Sequence, residues 1–237
     1  IPNMNTYQEM YDKSVNDPDG FWAKQAERLD WMKKWDTVSN NDFTKAKISW
    51  FEGGKLNVSY NCLDRHIKAG FGDQTALIWE SNDPSEDKAL SYSEMLSEVS
   101  KFANVLKSTG VEKGDRVCIY MQMIPELSIA MLACSRIGAV HSIVFGAFSP
   151  DSLRDRINDS TCKMLITQDT GVRGKKSDIP MKANADKALH NTPSIEKVIV
   201  VKRTGQDVAM DACRDLWWYD QMATADNICV PEAMDAE

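Results

Sequence analysis

Short apolar segments rich in β-branched residues alternate with helical segments through the middle of this 237-residue sequence. Arg116–Met121 (RVCIYM) and Val140–Phe145 (VHSIVF) are too short for typical helices and are apolar almost throughout, as in strands buried on both faces. Helical patterns of about ten to fifteen residues separate such segments, which is typical of βαβ units. The predicted strands are Arg116–Met121, Val140–Phe145, 163–167 and 197–202. We therefore predict an α/β fold, with a parallel sheet of βαβ units and helices on both faces.

Capping and turn residues predict where the intervening helices begin and end. Ser91 and Glu94 have the spacing of a capping box, and Ser149 followed by Pro150 has the pattern of an N-cap and a first helical residue. Glycines at 110 and 138 are expected just beyond two helix ends. The predicted helices lie at about 92–109, 125–137 and 179–190, another helix begins at Pro150, and one further strand lies at 75–79.

The first seventy or so residues lack this alternation and predict helices and loops. Trp22, Ala26, Leu29 and Met32 recur at helical spacing across 21–33, and a second helix is expected at about 59–68. We predict a helical amino-terminal segment at 1–70, followed at 71–237 by the first part of a larger domain that is incomplete at its carboxyl end.

Charge and cysteine usage exclude several classes of protein. The formal charge is -7, with 35 acidic against 28 basic side chains, which argues against a nucleic-acid or membrane-surface binder. No window of eighteen apolar residues predicts a membrane span, and no signal-peptide pattern is present. The six cysteines include no C-x-x-C pair, and the three histidines are scattered without metal-ligand spacing. These patterns predict reduced thiols, a cytoplasmic location and no metal site.

Two loops that follow predicted strands are candidate ligand-binding elements, because ligands of parallel sheets collect at the carboxyl ends of the strands. One is 145–150 (FGAFSP), whose small residues allow close approach to the backbone. The other is 171–178 (GVRGKKSD), with three cations in four residues. It is not a Walker A loop, because Asp169 and Lys176 replace the required Gly and Ser or Thr. No G-x-G-x-x-G is present either. The residues alone allow a phosphate site or a solvated basic turn.

The segment at 50–66 (WFEGGKLNVSYNCLDRH) closely resembles the one that opens the large domain of AMP-forming acetyl-CoA synthetases. The resemblance covers most of the chain from about residue 7 onward. It continues through 102–106 (FANVL), 113–117 (KGDRV), 123–127 (MIPEL), 133–142 (ACSRIGAVHS), 200–205 (VVKRTG) and 231–237 (PEAMDAE). It implies that the fold is part of the large domain of an adenylate-forming enzyme.

The resemblance also implies a two-step ligase reaction. Acetate attacks the α-phosphate of ATP, giving acetyl-adenylate and pyrophosphate, and the thiol of CoA then displaces AMP. CoA, ATP and acetate are the implied substrates and Mg²⁺ the implied ion, with no Mg²⁺ ligand assigned in this chain. The implied CoA-binding residues are Arg173, Gly174, Lys175, Lys176, Gly146 and Ala147.

Two of these positions depart from the family's pattern. Ala147 replaces the second Gly of a Gly-Gly pair beside the CoA channel, and its extra methyl group hinders close approach of a ligand to the backbone there. Lys176 stands where many relatives have Arg, which keeps the charge but loses the two-pronged guanidinium.

The family's ATP-phosphate loop, its adenine and acetate segments and its adenylation Lys are expected beyond residue 237. No catalytic residue is therefore assigned here. We expect an amino-terminal fragment of an acetate–CoA ligase that is inactive alone, with the remainder of the parent enzyme missing. Two alternatives stay open: a propionate or other short-chain ligase fragment, and a stand-alone CoA-binding, phosphate-binding or interaction module.

Overall fold

The computed structural model describes residues 2–237. The helices are α1 (Met4–Asn16), α2 (Pro18–Ala26), α3 (Arg65–Lys68), α4 (Tyr92–Ser108), α5 (Pro125–Ile137), α6 (Pro150–Ser160), α7 (Met181–Ala188) and α8 (Trp218–Thr224). The strands are β1 (Thr37–Ser39), β2 (Trp50–Glu52), β3 (Lys55–Leu56), β4 (Thr75–Trp79), β5 (Lys88–Ser91), β6 (Arg116–Met121), β7 (Val140–Phe145), β8 (Met164–Gln168), β9 (Gly171–Arg173), β10 (Lys176–Ile179), β11 (Lys197–Val201), β12 (Asp215–Trp217) and β13 (Met234–Asp235). Single turns of 3₁₀ or π helix lie at Phe43–Lys45, Tyr60–Asp64 and Pro84–Glu86.

The chain divides into two compact units, one ending at Asn57 and including Ala233–Glu237, the other spanning Val58–Glu232. The predicted boundary at residue 70 does not coincide with this division and stays a prediction about the domains of the parent. Tyr60–Asp64 and α3 belong to the second unit, where the turn at Tyr60–Asp64 packs beside α4. A bidentate ion pair between Arg136 of α5 and Asp64, with both N–O distances 2.9 Å, holds this turn within the second unit.

The first unit contains two small antiparallel ribbons, β1 with β2 and β3 with β13, besides α1 and α2. The expectation of helices and loops alone is thus wrong for this segment. The helical pattern across 21–33 is also interrupted, because α2 ends at Ala26. Trp31 Nε1 donates a hydrogen bond of 2.9 Å to the carbonyl of Ala26, and the indole packs against Phe51. Tertiary packing of large aromatic rings therefore replaces the last turns that the periodicity predicted.

The second unit is built on a five-stranded sheet in the order β12-β11-β8-β6-β7, with every pair parallel. The predicted α/β class and its four strands are confirmed. The fifth strand, β12, was missed because it has only three residues and lies in a segment without apolar alternation. The predicted strand β4 pairs with β5 in a separate antiparallel ribbon.

Alternate residues of the sheet strands face two hydrophobic cores. Ile119 and Ile166 belong to the core shared with α4, α5 and α8, whereas Cys118 and Leu165 belong to the core shared with α6 and α7. Helices therefore cover both faces of the sheet, as predicted. In the first core the rings of Phe102 and Trp218 stack with centroids 3.7 Å apart.

The capping residues behave as their chemistry requires. Ser91 Oγ accepts from the backbone N of Glu94, whose carboxylate accepts from the backbone N of Ser91, so the capping box is complete. Gly138 ends α5 at φ +75°, in the left-handed region. Ser149 caps α6 through the backbone N of Ser152. The helix predicted at 179–190 is shorter than expected, because the residues before Pro180 form β10.

All six cysteines are free, and those at 118, 134, 162 and 229 are buried. Within residues 2–237, no helix is both long enough and apolar enough to cross a membrane.

Candidate functional site

A cavity of about 620 Å³ opens at the carboxyl ends of the parallel strands in the second unit. Its walls come from the segments that follow β4, β6, β7 and β8 and from the turn after β11. This is the edge at which a parallel sheet presents its loops to a ligand. Among the predicted site residues, Arg173, Gly146 and Ala147 line this cavity.

The predicted loop at 171–178 is a β-hairpin, which corrects the sequence interpretation. Strands β9 and β10 pair antiparallel, with Arg173 opposite Lys176 and Gly174-Lys175 as the two-residue turn. Gly174 has φ +58°, the positive value that a two-residue hairpin turn of type II′ requires at its first central position. The strands were missed because they are short and polar, so that no hydrophobic alternation marks them.

Gln122, just beyond β6, holds this hairpin against the sheet. Its Oε1 accepts from the backbone N of Val172 at 2.8 Å, and its Nε2 donates to the carbonyl of Val172 at 3.1 Å. Gln168 in turn accepts from the backbone N of Gln122 at 2.8 Å. The close approach needs Gly171, since a Cβ there would lie 2.7 Å from Gln122 Oε1.

Asp169 joins the hairpin to the turn after β11. Its carboxylate is fully buried and accepts backbone hydrogen bonds from Thr170 at 2.7 Å, Arg203 at 2.9 Å and Gly205 at 2.8 Å, with the N of Thr204 at 3.1 Å. A buried carboxylate needs such donors to offset its lost hydration. Asp169 therefore fixes the backbone from which the side chain of Arg203 reaches the cavity.

The segment after β7 forms the opposite wall. Tyr120 Oη donates to the carbonyls of Gly146 at 3.2 Å and Phe148 at 3.0 Å, and so holds the segment in place. Burial raises the pKa of Tyr120, which keeps its phenol protonated as a donor. A Cβ at Gly146 would approach Met181 Cε to 3.0 Å, whereas Ala147 lines the cavity with its methyl group in place.

The remaining predicted residues lie at the tip of the hairpin. The carbonyl of Gly174 accepts a hydrogen bond of 3.3 Å from Asn82 Nδ2, which links the tip to the segment after β4. Lys175 and Lys176 are exposed and are not among the residues that line the cavity. The structure thus brings three of the six predicted residues together at the cavity, while the other three lie in the turn and at the start of β10.

Arg203 and Trp79 were not identified as site residues from the sequence, although Arg203 lies in one of the segments that carry the family resemblance. The guanidinium Cζ lies 5.2 Å from the centroid of the Trp79 ring, and Trp79 Nε1 donates to the carbonyl of Met123 at 2.7 Å. Both residues also line a second cavity of about 370 Å³. Only the fold shows that Arg203 and Trp79 lie together at the cavity, because the two residues are far apart in the chain.

Within the described part of the chain, no group of three or more His, Cys, Asp or Glu side chains could hold a metal ion.

Comparisons with known proteins agree with this architecture. Residues 64–232 match the family model of the AMP-binding enzymes, and residues 7–62 match that of the acetyl-coenzyme A synthetase N-terminus. An acetyl-coenzyme A synthetase of Halorhodospira halophila is 54% identical over 99% of this chain, and one of Rubrobacter xylanophilus is 57% identical over 96%.

The chain spans 36% of the length of the first of these relatives and 35% of the second. Among solved structures, an acetoacetyl-CoA synthetase from Streptomyces lividans shares the fold, with a TM-score of 0.82 and 24% identity over 94% of this chain and 34% of its own. With the family models matched on both sides of residue 63, the chain belongs to the AMP-binding enzyme family and carries the amino-terminal segment of the acetyl-coenzyme A synthetases.

Proposed function

We propose that this chain is the amino-terminal part of an AMP-forming acetate–CoA ligase and supplies part of its CoA site. The parent reaction converts ATP, acetate and CoA to acetyl-CoA, AMP and pyrophosphate through acetyl-adenylate. The observation that carries the proposal is the cavity at the strand ends, where Arg173, Gly146 and Ala147 lie together. The matches at residues 7–62 and 64–232 favour this proposal over a stand-alone binding module.

The hairpin would bind the phosphate-bearing nucleotide end of CoA. Arg173 can donate two parallel hydrogen bonds to one phosphate, while Lys175 and Lys176 add positive charge at the rim. Gln122 and Asn82 donate to hairpin carbonyls and so reduce the ordering that a ligand would otherwise have to impose.

The opposite wall suits the adenine base. Phe145 and Phe148 line the cavity and are 61% and 40% exposed. Exposed aromatic rings beside small backbone positions offer a surface on which a base can stack. Gly146 and Ala147 would allow the ligand to pass close to the backbone between these rings.

The chemistry at the acetate carboxylate and the ATP α-phosphate is assigned to parts of the parent outside this sequence. Mg²⁺ would accompany ATP there and screen its phosphates. We therefore expect this chain alone to show no acetate-dependent exchange between ATP and pyrophosphate. Acetate is proposed as the acyl substrate because the relatives above are named for it, and propionate remains the alternative. A cytoplasmic location is proposed from the four buried free cysteines.

Calorimetric titration of the chain with CoA and with dephospho-CoA tests the proposal. We expect weak binding of CoA that depends on the 3′-phosphate and falls about tenfold in Arg173→Ala. Arg154→Ala is the matched control, because Arg154 pairs with Asp151 on α6 and does not line the cavity. Equal affinity for both ligands, or indifference to Arg173→Ala, would contradict the assignment.

A further inference from the structure

Arg203 lies on the wall of the same cavity as Arg173 but on a different element, the turn after β11. Its side chain is only 17% exposed, so its charge is largely removed from water. A guanidinium in such a position is expected to have a partner that offsets the lost hydration. The groups that pair with the Arg203 guanidinium therefore indicate which ligands could bind there in their place.

The guanidinium is held by one nitrogen. Nη2 donates to Glu86 Oε2 at 2.6 Å and to Ser81 Oγ at 3.2 Å. Within residues 2–237, Nε and Nη1 have no hydrogen-bond partner. An arginine presents donors in a fixed fork that suits two oxygens of a phosphate, and here most of that capacity is unused.

The position of Arg203 is fixed from both ends. Asp169 accepts from its backbone N, and the Trp79 ring supports the guanidinium, with Trp79 itself anchored on the carbonyl of Met123. The arginine therefore needs little rearrangement to bind a ligand, and its ordering cost is already met in the folded chain.

Glu86, by contrast, is easily released. Its side chain is 46% exposed and lies in the single 3₁₀ turn Pro84–Glu86, between Ser81 and β5. A half-exposed carboxylate is rehydrated when it leaves its partner, so that its exchange for another anion on Arg203 costs little free energy. A phosphate, with more charge and more acceptor oxygens, can therefore replace it on Arg203.

We propose that Arg203 is a second phosphate-binding arginine of this cavity and that Glu86 pairs with it as an internal anion until ligand binds. Arg203 then binds the diphosphate of the nucleotide, while the hairpin binds the 3′-phosphate. This inference rests on the proposed CoA site. Two cations on separate walls of one cavity match a ligand with two separate anionic groups, and the nucleotide end of CoA has this form. Glu86 thus acts as a competitor that lowers affinity and excludes ligands without a diphosphate.

The test uses calorimetric titration of the whole chain with CoA and with dephospho-CoA, which keeps the diphosphate and lacks the 3′-phosphate. Arg203→Ala should weaken binding of both ligands about tenfold, whereas Arg173→Ala should weaken CoA alone. Arg203→Lys should retain part of the affinity, because the charge remains. Glu86→Gln should tighten both ligands about two- to fivefold and should lose that gain in the double variant with Arg203→Ala.

Glu232→Gln is the matched control for Glu86→Gln. Glu232 is also 46% exposed and forms an ion pair of 2.9 Å, but its partner is Lys113, which, unlike Arg203, does not line the cavity. It should leave both affinities unchanged. Thermal unfolding of each variant checks that the fold is intact.

The two proposals fail in different ways. If Arg173→Ala weakens CoA while Arg203→Ala and Glu86→Gln change neither ligand, the role of Arg203 is overturned and the CoA site stands. If Arg203→Ala weakens CoA but not dephospho-CoA, the diphosphate assignment is wrong. If the unaltered chain does not bind CoA, or if Arg173→Ala has no effect, the CoA site itself is overturned.

Discussion

The side chain of Gln122 forms with the backbone of Val172 the two hydrogen bonds that a neighbouring strand would otherwise form. Most of the basic hairpin is polar, although Ile179 of β10 packs against the second core of the sheet. The amide side chain of Gln122, just beyond β6, thus helps to fix the strand that carries Arg173. The hydrogen bonds of Gln122 therefore act together with the apolar contact of Ile179 to connect the hairpin to the sheet.

Replacement of Gln122 by Ala should therefore release the hairpin while leaving the sheet intact. Loss of both bonds should speed amide hydrogen exchange at Val172 by about thirtyfold, since two neutral bonds of about 1 kcal/mol each contribute about 2 kcal/mol together. Hydrogen–deuterium exchange of peptides from 164–180 measures this directly. Gln25→Ala, on α2, is the control and should leave that region unchanged. Unaltered exchange at Val172 in Gln122→Ala would show that other contacts hold the hairpin.

Asp169→Asn should lower the free energy of unfolding by about 2–3 kcal/mol. The carboxylate receives backbone donors on both oxygens, and the NH₂ of Asn would face the donors of Thr204 and Gly205. Urea denaturation measures the change. Asp159→Asn, at an exposed position on α6, should stay within about 0.5 kcal/mol of the unaltered chain. Equal stability of the two variants would contradict the joining role assigned to Asp169.

The buried carboxylate of Asp215 predicts acid sensitivity. Burial acts to raise its pKa, but hydrogen bonds from Arg214 and Lys182 outweigh burial, so the pKa lies below its ordinary value. A carboxyl whose pKa is lower in the folded chain stabilises the fold above its unfolded pKa of about 4. That contribution is lost as the pH falls through the folded pKa.

Asp215→Asn should consequently be less stable than the unaltered chain at neutral pH, and the difference should shrink as the pH falls below about 4. Urea midpoints between about pH 7 and pH 3 follow both proteins. Asp73→Asn, at an exposed position, is the control and should stay within about 0.5 kcal/mol of the unaltered chain at neutral pH. A gap between Asp215→Asn and the unaltered chain that is constant with pH would rule out this linkage.

Phe102→Ala should lower the free energy of unfolding by about 3–5 kcal/mol, because it leaves a cavity beside Trp218 in the first core of the sheet. The changed surroundings of Trp218 should also alter its fluorescence. Phe43→Ala removes the same side chain where it is 78% exposed and should cost less than about 0.5 kcal/mol. A similar loss in both variants would contradict the assigned core.

Local sequence patterns were sufficient to predict most of the sheet strands and the helices between them. The strands β6 and β7 were predicted at their observed bounds, because continuous apolar runs between cap and turn signals have few alternatives. Ser91, Glu94, Gly138 and Ser149 mark helix ends through backbone groups within a few residues. These features depend on near neighbours in the chain and can be read from the sequence.

The missed features depend on contacts distant in sequence. The helix across 21–33 ends early because aromatic packing around Trp31 competes with helical propensity. Strand β12 is too short to have a period of its own and forms beside β11.

The sequence by itself determined the α/β class, the family and the basic segment that lies at the strand ends. Only the tertiary structure decided that this segment is a hairpin, that Asp169 ties it to the turn after β11, and that Arg203 meets Glu86 and Trp79 at the cavity. The physical reason is the separation along the chain over which each kind of interaction acts. Backbone propensity and capping act over a few residues, whereas buried hydrogen bonds and ion pairs join groups that only the completed fold brings together.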